Sequence, residues 1–180
     1  MVSNGEADIA IVTERIDDHP ELSKLTCDEW NHAVIVPKEH PLLECMNPLS
    51  IEDLASFPLI TYEFAFNQGS SIARAFNKAH LDNPDVVLSA ADTDVLKTYV
   101  RLGLGVGLMA KMAFDPEKDA DLELVDAAHL FEPSPIWIAV RSDTYLRGYT
   151  YDFIEMFSPK LTRDVVDRIL YTPVVEDFSI

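Results

Sequence analysis

Positive charge is scarce in this 180-residue sequence: 14 Lys and Arg stand against 31 Asp and Glu, for a formal net charge of −17. Such a surface repels phosphate backbones, so direct nucleic-acid binding is disfavoured. A small anionic ligand is not excluded, because amide N–H groups at a helix start hold an oxyanion without any Lys or Arg. There is no apolar run of about 18 residues, the length a membrane-spanning helix needs. Nor does the N-terminus show the basic-then-apolar order of a signal peptide, so the expected compartment is the cytoplasm. Cysteine is rare: Cys27 and Cys45 are one pair without metal-ligand spacing, too few for a disulfide framework, and both are expected to be free thiols. The histidines His19, His32, His40, His80 and His129 match no metal spacing, and no nucleophile elbow or nucleophile–His motif is present. Scattered residues can still meet in space, but the reading is of no enzyme, no metal and no cofactor. Repeats and low-complexity tracts are lacking as well.

What is present is a soluble-type composition, 48% hydrophobic and 25% charged, enough for a real core. Ile9-Ala10-Ile11-Val12, closed by Thr13, reads as a buried parallel strand. Such a strand needs neighbours on both sides and little chain precedes it, so a fragment of a longer protein is expected. A polar loop over 15–24 leads to a strand at Ala33-Val34-Ile35-Val36, closed by Pro37. Ser50 and Asp53 form a capping-box pattern at a helix start, and Pro58 precedes the strand Leu59-Ile60-Thr61-Tyr62. Ser70 or Ser71 caps a helix reaching about Ala79, with Ile72, Ala75, Phe76 and Ala79 on one face. Val86-Val87-Leu88 is the next strand. Asp92 then opens a helix with the stripe Val95, Tyr99 and Leu102, stopped by Gly103. Further strands are read at Val106-Gly107-Leu108-Met109, Leu122-Glu123-Leu124-Val125 and Ile136-Trp137-Ile138-Ala139-Val140. Two helices follow, one with Tyr149, Phe153, Met156 and Phe157 along one side and one over 161–171. Strands alternating with helices predict an α/β fold with mainly parallel sheets.

Three segments in order carry a resemblance: Gly5-Glu6-Ala7-Asp8-Ile9-Ala10-Ile11, then His40-Pro41-Leu42 with Leu49-Ser50-Ile51-Glu52-Asp53-Leu54, then Gly103-Leu104-Gly105-Val106-Gly107. Together they resemble the effector-binding domain of LysR-type transcriptional regulators. The run from Asp94 to Gly107, Trp30-Asn31, Tyr149-Thr150-Tyr151-Asp152-Phe153 and Leu161-Thr162-Arg163-Asp164-Val165-Val166 are similar to the CysB/Cbl branch of that family, and the likeness covers nearly the whole chain. It implies a two-lobed, periplasmic-binding-protein-like (type 2) domain with the ligand in an inter-lobe cleft. Residues 1–29 and 135–180 would build lobe I, which is expected to be incomplete, and 30–134 would build lobe II. The family's N-terminal winged helix-turn-helix has no counterpart in this sequence, so DNA would be reached only through a domain absent from it. Relatives self-associate, which makes a homo-oligomer the expectation.

The candidate ligand residues are Thr13, Trp30, Asn67, Gln68, Gly69 and Ser70. Thr13 stands at the carboxyl end of its strand, where ligands of α/β proteins gather and a hydroxyl can donate to a sulfate-like oxygen; otherwise it simply closes the strand. Glu14 beside it is read as structural. By the resemblance Trp30 lies at the first lobe crossing, where its indole either walls the cleft or packs in the core. Residues 61–71, with Asn67, Gln68, Gly69, Ser70 and Ser71 ahead of a helix, offer free amides, a glycine for close approach and short donors; the alternative is a plain helix cap. Relatives of the CysB branch carry a Thr-Gly pair here, and the departure bears on which ligand is held. Gly103, Gly105 and Gly107 follow a helix and lead into a strand, the reverse of the dinucleotide-loop order, and are read as a tight turn.

The resemblance thus implies a sensor for a small-molecule effector (a sulfate-like anion, thiosulfate, acetylserine or adenylyl sulfate) in sulfur assimilation and cysteine biosynthesis. The alternatives are a stand-alone solute-binding protein for the same anions, or a gene fragment without binding competence.

Overall fold

A computed structural model of the chain describes residues 1–13, 19–44, 48–67 and 69–171. Backbone proximity divides the chain into two compact units, Met1–Glu29 with Pro135–Ile180, and Trp30–Ser134.

The first unit holds a three-stranded sheet in the order β1 (Ile9–Val12), β8 (Ser134–Arg141), β2 (Leu22–Trp30). Helices α4 (Gly148–Phe157) and α5 (Arg163–Tyr171) accompany it, and Leu25, Cys27, Ile138, Val140, Tyr151, Ile154, Leu161 and Val166 form its core. β1 runs antiparallel to β8, with Ile9 opposite Val140 and Val12 opposite Trp137. The expectation of a buried parallel strand is therefore corrected. Among the described residues β1 pairs on one side only, and Ile11 is 48% exposed. β2 overlaps the end of the polar loop expected over 15–24 and continues to Trp30, a strand the sequence reading does not include. Its inward residues Leu25 and Cys27 alternate with exposed polar ones, so no apolar run announces it. Residues 14–18 lie outside the described residues, as does Cys45. Cys27 is a buried free thiol.

The second unit is a five-stranded sheet in the order β5 (Val86–Ala90), β4 (Leu59–Tyr62), β6 (Val106–Ala110), β3 (His32–Pro37), β7 (Leu122–Asp126). β4 is parallel to β5 and β6, whereas β3 is antiparallel to β6 and β7. The α/β class is as expected, but the sheets are mixed rather than mainly parallel. A continuous apolar run reports burial of both strand faces, not the direction of the neighbours. Alternation splits β3 between two cores. Val34 and Val36 join the cluster of Leu54 from α1 (Ile51–Ala55) and Ile72 and Phe76 from α2 (Ser71–Lys78). Ile35 joins Ile60, Met109, and Leu96 and Val100 from α3 (Thr93–Arg101). Ser50 and Asp53 close the capping box of α1, and the Asp92 carboxylate accepts from the Val95 amide to start α3.

Of the two apolar stripes read from sequence, that of α4 faces solvent and that of α3 does so in part, since half-buried Tyr99 packs against the core. In α3 the buried residues are Leu96, Lys97 and Val100, while Val95 and Leu102 are exposed. In α4 they are Thr150, Tyr151 and Ile154, while Tyr149, Phe153, Met156 and Phe157 are exposed. Both helices carry apolar residues on more than one side, so periodicity alone does not choose the face that meets the core. The three glycines after α3 also divide their labour. Gly103 takes φ +72° and ends the helix, while a Cβ on Gly105 would lie 2.4 Å from the Pro58 carbonyl oxygen. One on Gly107 would lie 2.6 Å from Ile35, 2.7 Å from Val100 and 2.9 Å from Leu96.

The Lys97 ammonium, with its side chain 8% exposed, sits 2.5 Å from the Asp119 carboxylate, whose side chain is 4% exposed. Asp119 also accepts from Arg101 Nη2 and the Asp115 amide, and Lys97 donates to the Ala113 carbonyl, so the pair ties α3 to the loop before β7. Burial alone would raise the Asp119 carboxyl, but bonds from Lys97, Asp115 and Arg101 outweigh it and hold the carboxyl below its ordinary value.

Two outcomes are expected. Gly107→Ala lowers stability by about 1–3 kcal/mol, read from the urea midpoint, because Ile35, Val100 and Leu96 must all give way. Asp119→Ala costs about 3–5 kcal/mol by leaving a buried ammonium unpaired. Since the folded Asp119 carboxyl is depressed, its stabilisation is present above the unfolded carboxyl value near 3.8 and is lost as pH falls through the lower folded value. Melts of the unsubstituted chain should therefore decline on acidification below about pH 4, and those of Asp119→Ala should decline less.

Candidate functional site

β4 ends at Tyr62, and the chain then folds back on itself before α2. Thr61 is buried and donates to the Leu108 carbonyl at 3.0 Å, so it is committed to the sheet. In the loop the Asn67 amide donates to the Phe64 carbonyl at 3.0 Å, and the Ser70 amide donates to the Asn67 carbonyl at 3.1 Å. Gly69 adopts φ +89° with nothing within 4 Å of where a Cβ would stand, so glycine is there for backbone conformation, not for space. Its carbonyl accepts from the Arg74 guanidinium, which also pairs with Glu132.

Ser70 resolves the choice of cap. Its hydroxyl accepts from the Ala73 amide at 3.0 Å and donates to the Ala65 carbonyl at 2.5 Å. The donating role of that hydroxyl is filled within the loop, so Ser70 itself has no side-chain proton to offer a ligand. The backbone amides of Ser71 and Ile72 have no carbonyl one turn back within the helix to accept them. Asn67 and Gly69 are exposed, and the loop brings both next to this helix start. Gln68 lies outside the described residues.

Trp30, at the end of β2, is 6% exposed, and His32, at the start of β3, is 4% exposed. Their ring centroids are 4.4 Å apart, and His32 meets the Phe131 ring at 5.2 Å. Trp30 Nε1 and His32 Nδ1 are both buried without a hydrogen-bond partner among the described residues. A buried polar atom left unmatched costs about 1–3 kcal/mol, so two in one aromatic cluster make it a candidate place for a polar ligand group. Burial pushes the His32 imidazole down to about 4, making it neutral at pH 7. His32 had passed as one of five scattered histidines. Its spacing of two from Trp30, across the break at Asn31, was the signal available. Thr13 belongs to the first unit, half-buried and directly after β1.

A mixed α/β unit with a helix-opening loop of amides at the carboxyl end of a parallel strand is the make of a small-molecule-binding domain. The family model of the LysR substrate binding domain matches residues 1–162, and the chain belongs to that family. It is 48% identical over 170 residues to the HTH-type transcriptional regulator CysB of Burkholderia cenocepacia, covering 94% of this chain and 54% of that protein. To CysB of Haemophilus influenzae it is 51% identical over 165 residues, covering 92% of this chain and 50% of the other. The crystal structure of the cofactor-binding domain of the Cbl transcriptional regulator superposes with a TM-score of 0.85 at 36% identity, over 95% of this chain and 75% of that one. The chain thus spans about half the length of the curated relatives it matches.

Ser70→Ala should remove the α2 cap and its tie to Ala65 together, lowering stability by about 0.5–2 kcal/mol in a thermal melt.

Proposed function

We propose that this chain is the ligand-sensing part of a LysR-type regulator of sulfur assimilation and cysteine biosynthesis, acting by binding and not by catalysis. Its effector is a small anion or acylserine: a sulfate-like anion, thiosulfate, acetylserine or adenylyl sulfate. The observation that carries this reading is the pair of buried ring nitrogens without partners, Trp30 Nε1 and His32 Nδ1. The Trp30 N–H is a donor only and wants an oxygen. Within the same unit the loop of Asn67, Gly69 and Ser70 offers backbone amides, and Thr13, in the first unit, is proposed separately as a ligand residue. None of these donors is a cation, which suits a chain of net charge −17 that nonetheless takes an anion. The effector acts on the regulator only through unequal affinity for two conformations. Contact with DNA falls to another part of the regulator, and the setting is the cytoplasm. The exposed apolar side of α4 and the family's habit both support self-association.

Calorimetric titration with sulfate, thiosulfate, O-acetylserine and N-acetylserine tests the reading. At least one should bind, and Trp30→Phe should weaken it by about tenfold or more, the worth of a hydrogen bond to a charged ligand. Binding of none of the four, either by this chain or by one extended upstream, ends the proposal. Sedimentation at high concentration should show an oligomer, and a strict monomer would count against self-association.

A further inference from the structure

The first unit contains a cavity of about 220 Å³ whose lining includes Gly5, Asp8, Arg141, Arg147 and Thr150. It lies at the start of α4, a ten-residue helix whose N-cap is Arg147 and whose cap makes no side-chain hydrogen bond. The amides of Gly148 and Tyr149 therefore have neither a carbonyl within the helix nor a capping oxygen to accept them. That of Thr150 is taken by the Arg147 carbonyl at 3.0 Å. The Thr150 side chain is the second and independent feature. The residue is 2% exposed, and its hydroxyl is buried without a partner among the described residues. A threonine hydroxyl inside a helix ordinarily bonds to a carbonyl of the preceding turn, and at this third position there is no such turn.

The charges around the cavity are unequal in their commitments. Arg141 is held by Asp143 through Nε and Nη2, at 2.9 and 2.8 Å. It lies close to Gly5, where at φ +77° a Cβ would come within 3.0 Å of Nη1. Asp8 accepts from the Tyr149 hydroxyl at 2.7 Å. Among the described residues Arg147 donates to the Tyr149 hydroxyl at 3.2 Å and feels the charge of Asp8 without a direct ion pair to it. With Asp143 on Arg141 and Asp8 in the lining, the two guanidiniums are balanced, so the cavity is locally near neutral in a chain of net charge −17.

We propose that this cavity binds a small inorganic oxyanion of the size of sulfate or phosphate. The Thr150 hydroxyl and the Gly148 and Tyr149 amides donate to it, Arg147 supplies the countercharge, and the helix dipole adds to the attraction. The volume falls below the usual range for drug-sized ligands, which selects for an ion of a few atoms. This site is carried by the first unit alone and does not depend on the effector reading above.

Sulfate and phosphate titrations by calorimetry on four variants test it. Thr150→Val and Arg147→Gln should each weaken, by about tenfold or more, the anion binding that survives in Trp30→Phe. Thr150→Ser should restore it. Thr150→Val should melt no lower than the unsubstituted chain, because a methyl replaces a hydroxyl without a protein partner, so lost binding cannot be lost folding. Anion binding that is unchanged in Thr150→Val and Arg147→Gln overturns this inference, even if Trp30→Phe abolishes it and so supports the effector reading. Anion binding lost in Thr150→Val and untouched by Trp30→Phe supports the cavity and leaves the effector reading without its anion. No binding of either anion by the unsubstituted chain overturns the cavity outright.

Discussion

Strand β3 is buried on both faces, and the order of the second unit follows from that burial. Val34 and Val36 look toward α1 and α2, Ile35 looks toward α3, and all three are fully buried. A strand in this position must keep its register, since a slip of one residue would exchange its two faces. Gly107 helps to fix that register by admitting Ile35, Leu96 and Val100 into space a side chain would fill. His32 opens the same strand, so the aromatic cluster with Trp30 and Phe131 is anchored on a strand buried on both faces. Side chains set on so rigid a support have little freedom left to lose.

In the proposed effector reading, recognition by Trp30 and the loop before α2 rests on neutral donors. A strongly acidic protein gains nothing from a field that draws anions in, so affinity must come from short contacts made after arrival. Amides at helix starts and ring N–H groups do this without a counterion of their own to shed. The committed bonds of Ser70 and Thr61 show the same economy from the other side: hydroxyls that looked free in the sequence are fastened to carbonyls.

Much of the architecture was legible because it is written in short-range patterns. The capping box at Ser50, the cap at Asp92 and the stop at Gly103 each depend on residues within a few positions. The apolar runs at 33–36 and 59–62 announced burial, but direction is a property of pairs of strands and left no mark in either alone. β2 escaped notice because its inward residues are spaced by polar ones. The stripes of α3 and α4 misled because mass of apolar side chain outweighed position. At the candidate site, Asn67, Gly69 and Ser70 were visible as a local cluster. His32 was not, because what distinguishes it is the absence of a partner for one buried nitrogen, and that is decided by residues distant in sequence.

The distribution of indoles has a practical side. The sequence has two tryptophans, Trp30 in one compact unit and Trp137 in the other, the latter with the Lys24 ammonium 5.3 Å from its ring. Each unit therefore carries its own intrinsic fluorophore, quenched or shifted by different neighbours: a close imidazole in one, a cation in the other. Emission from the two halves can be separated by removing one indole at a time, giving a label-free view of whether they lose structure together or in sequence.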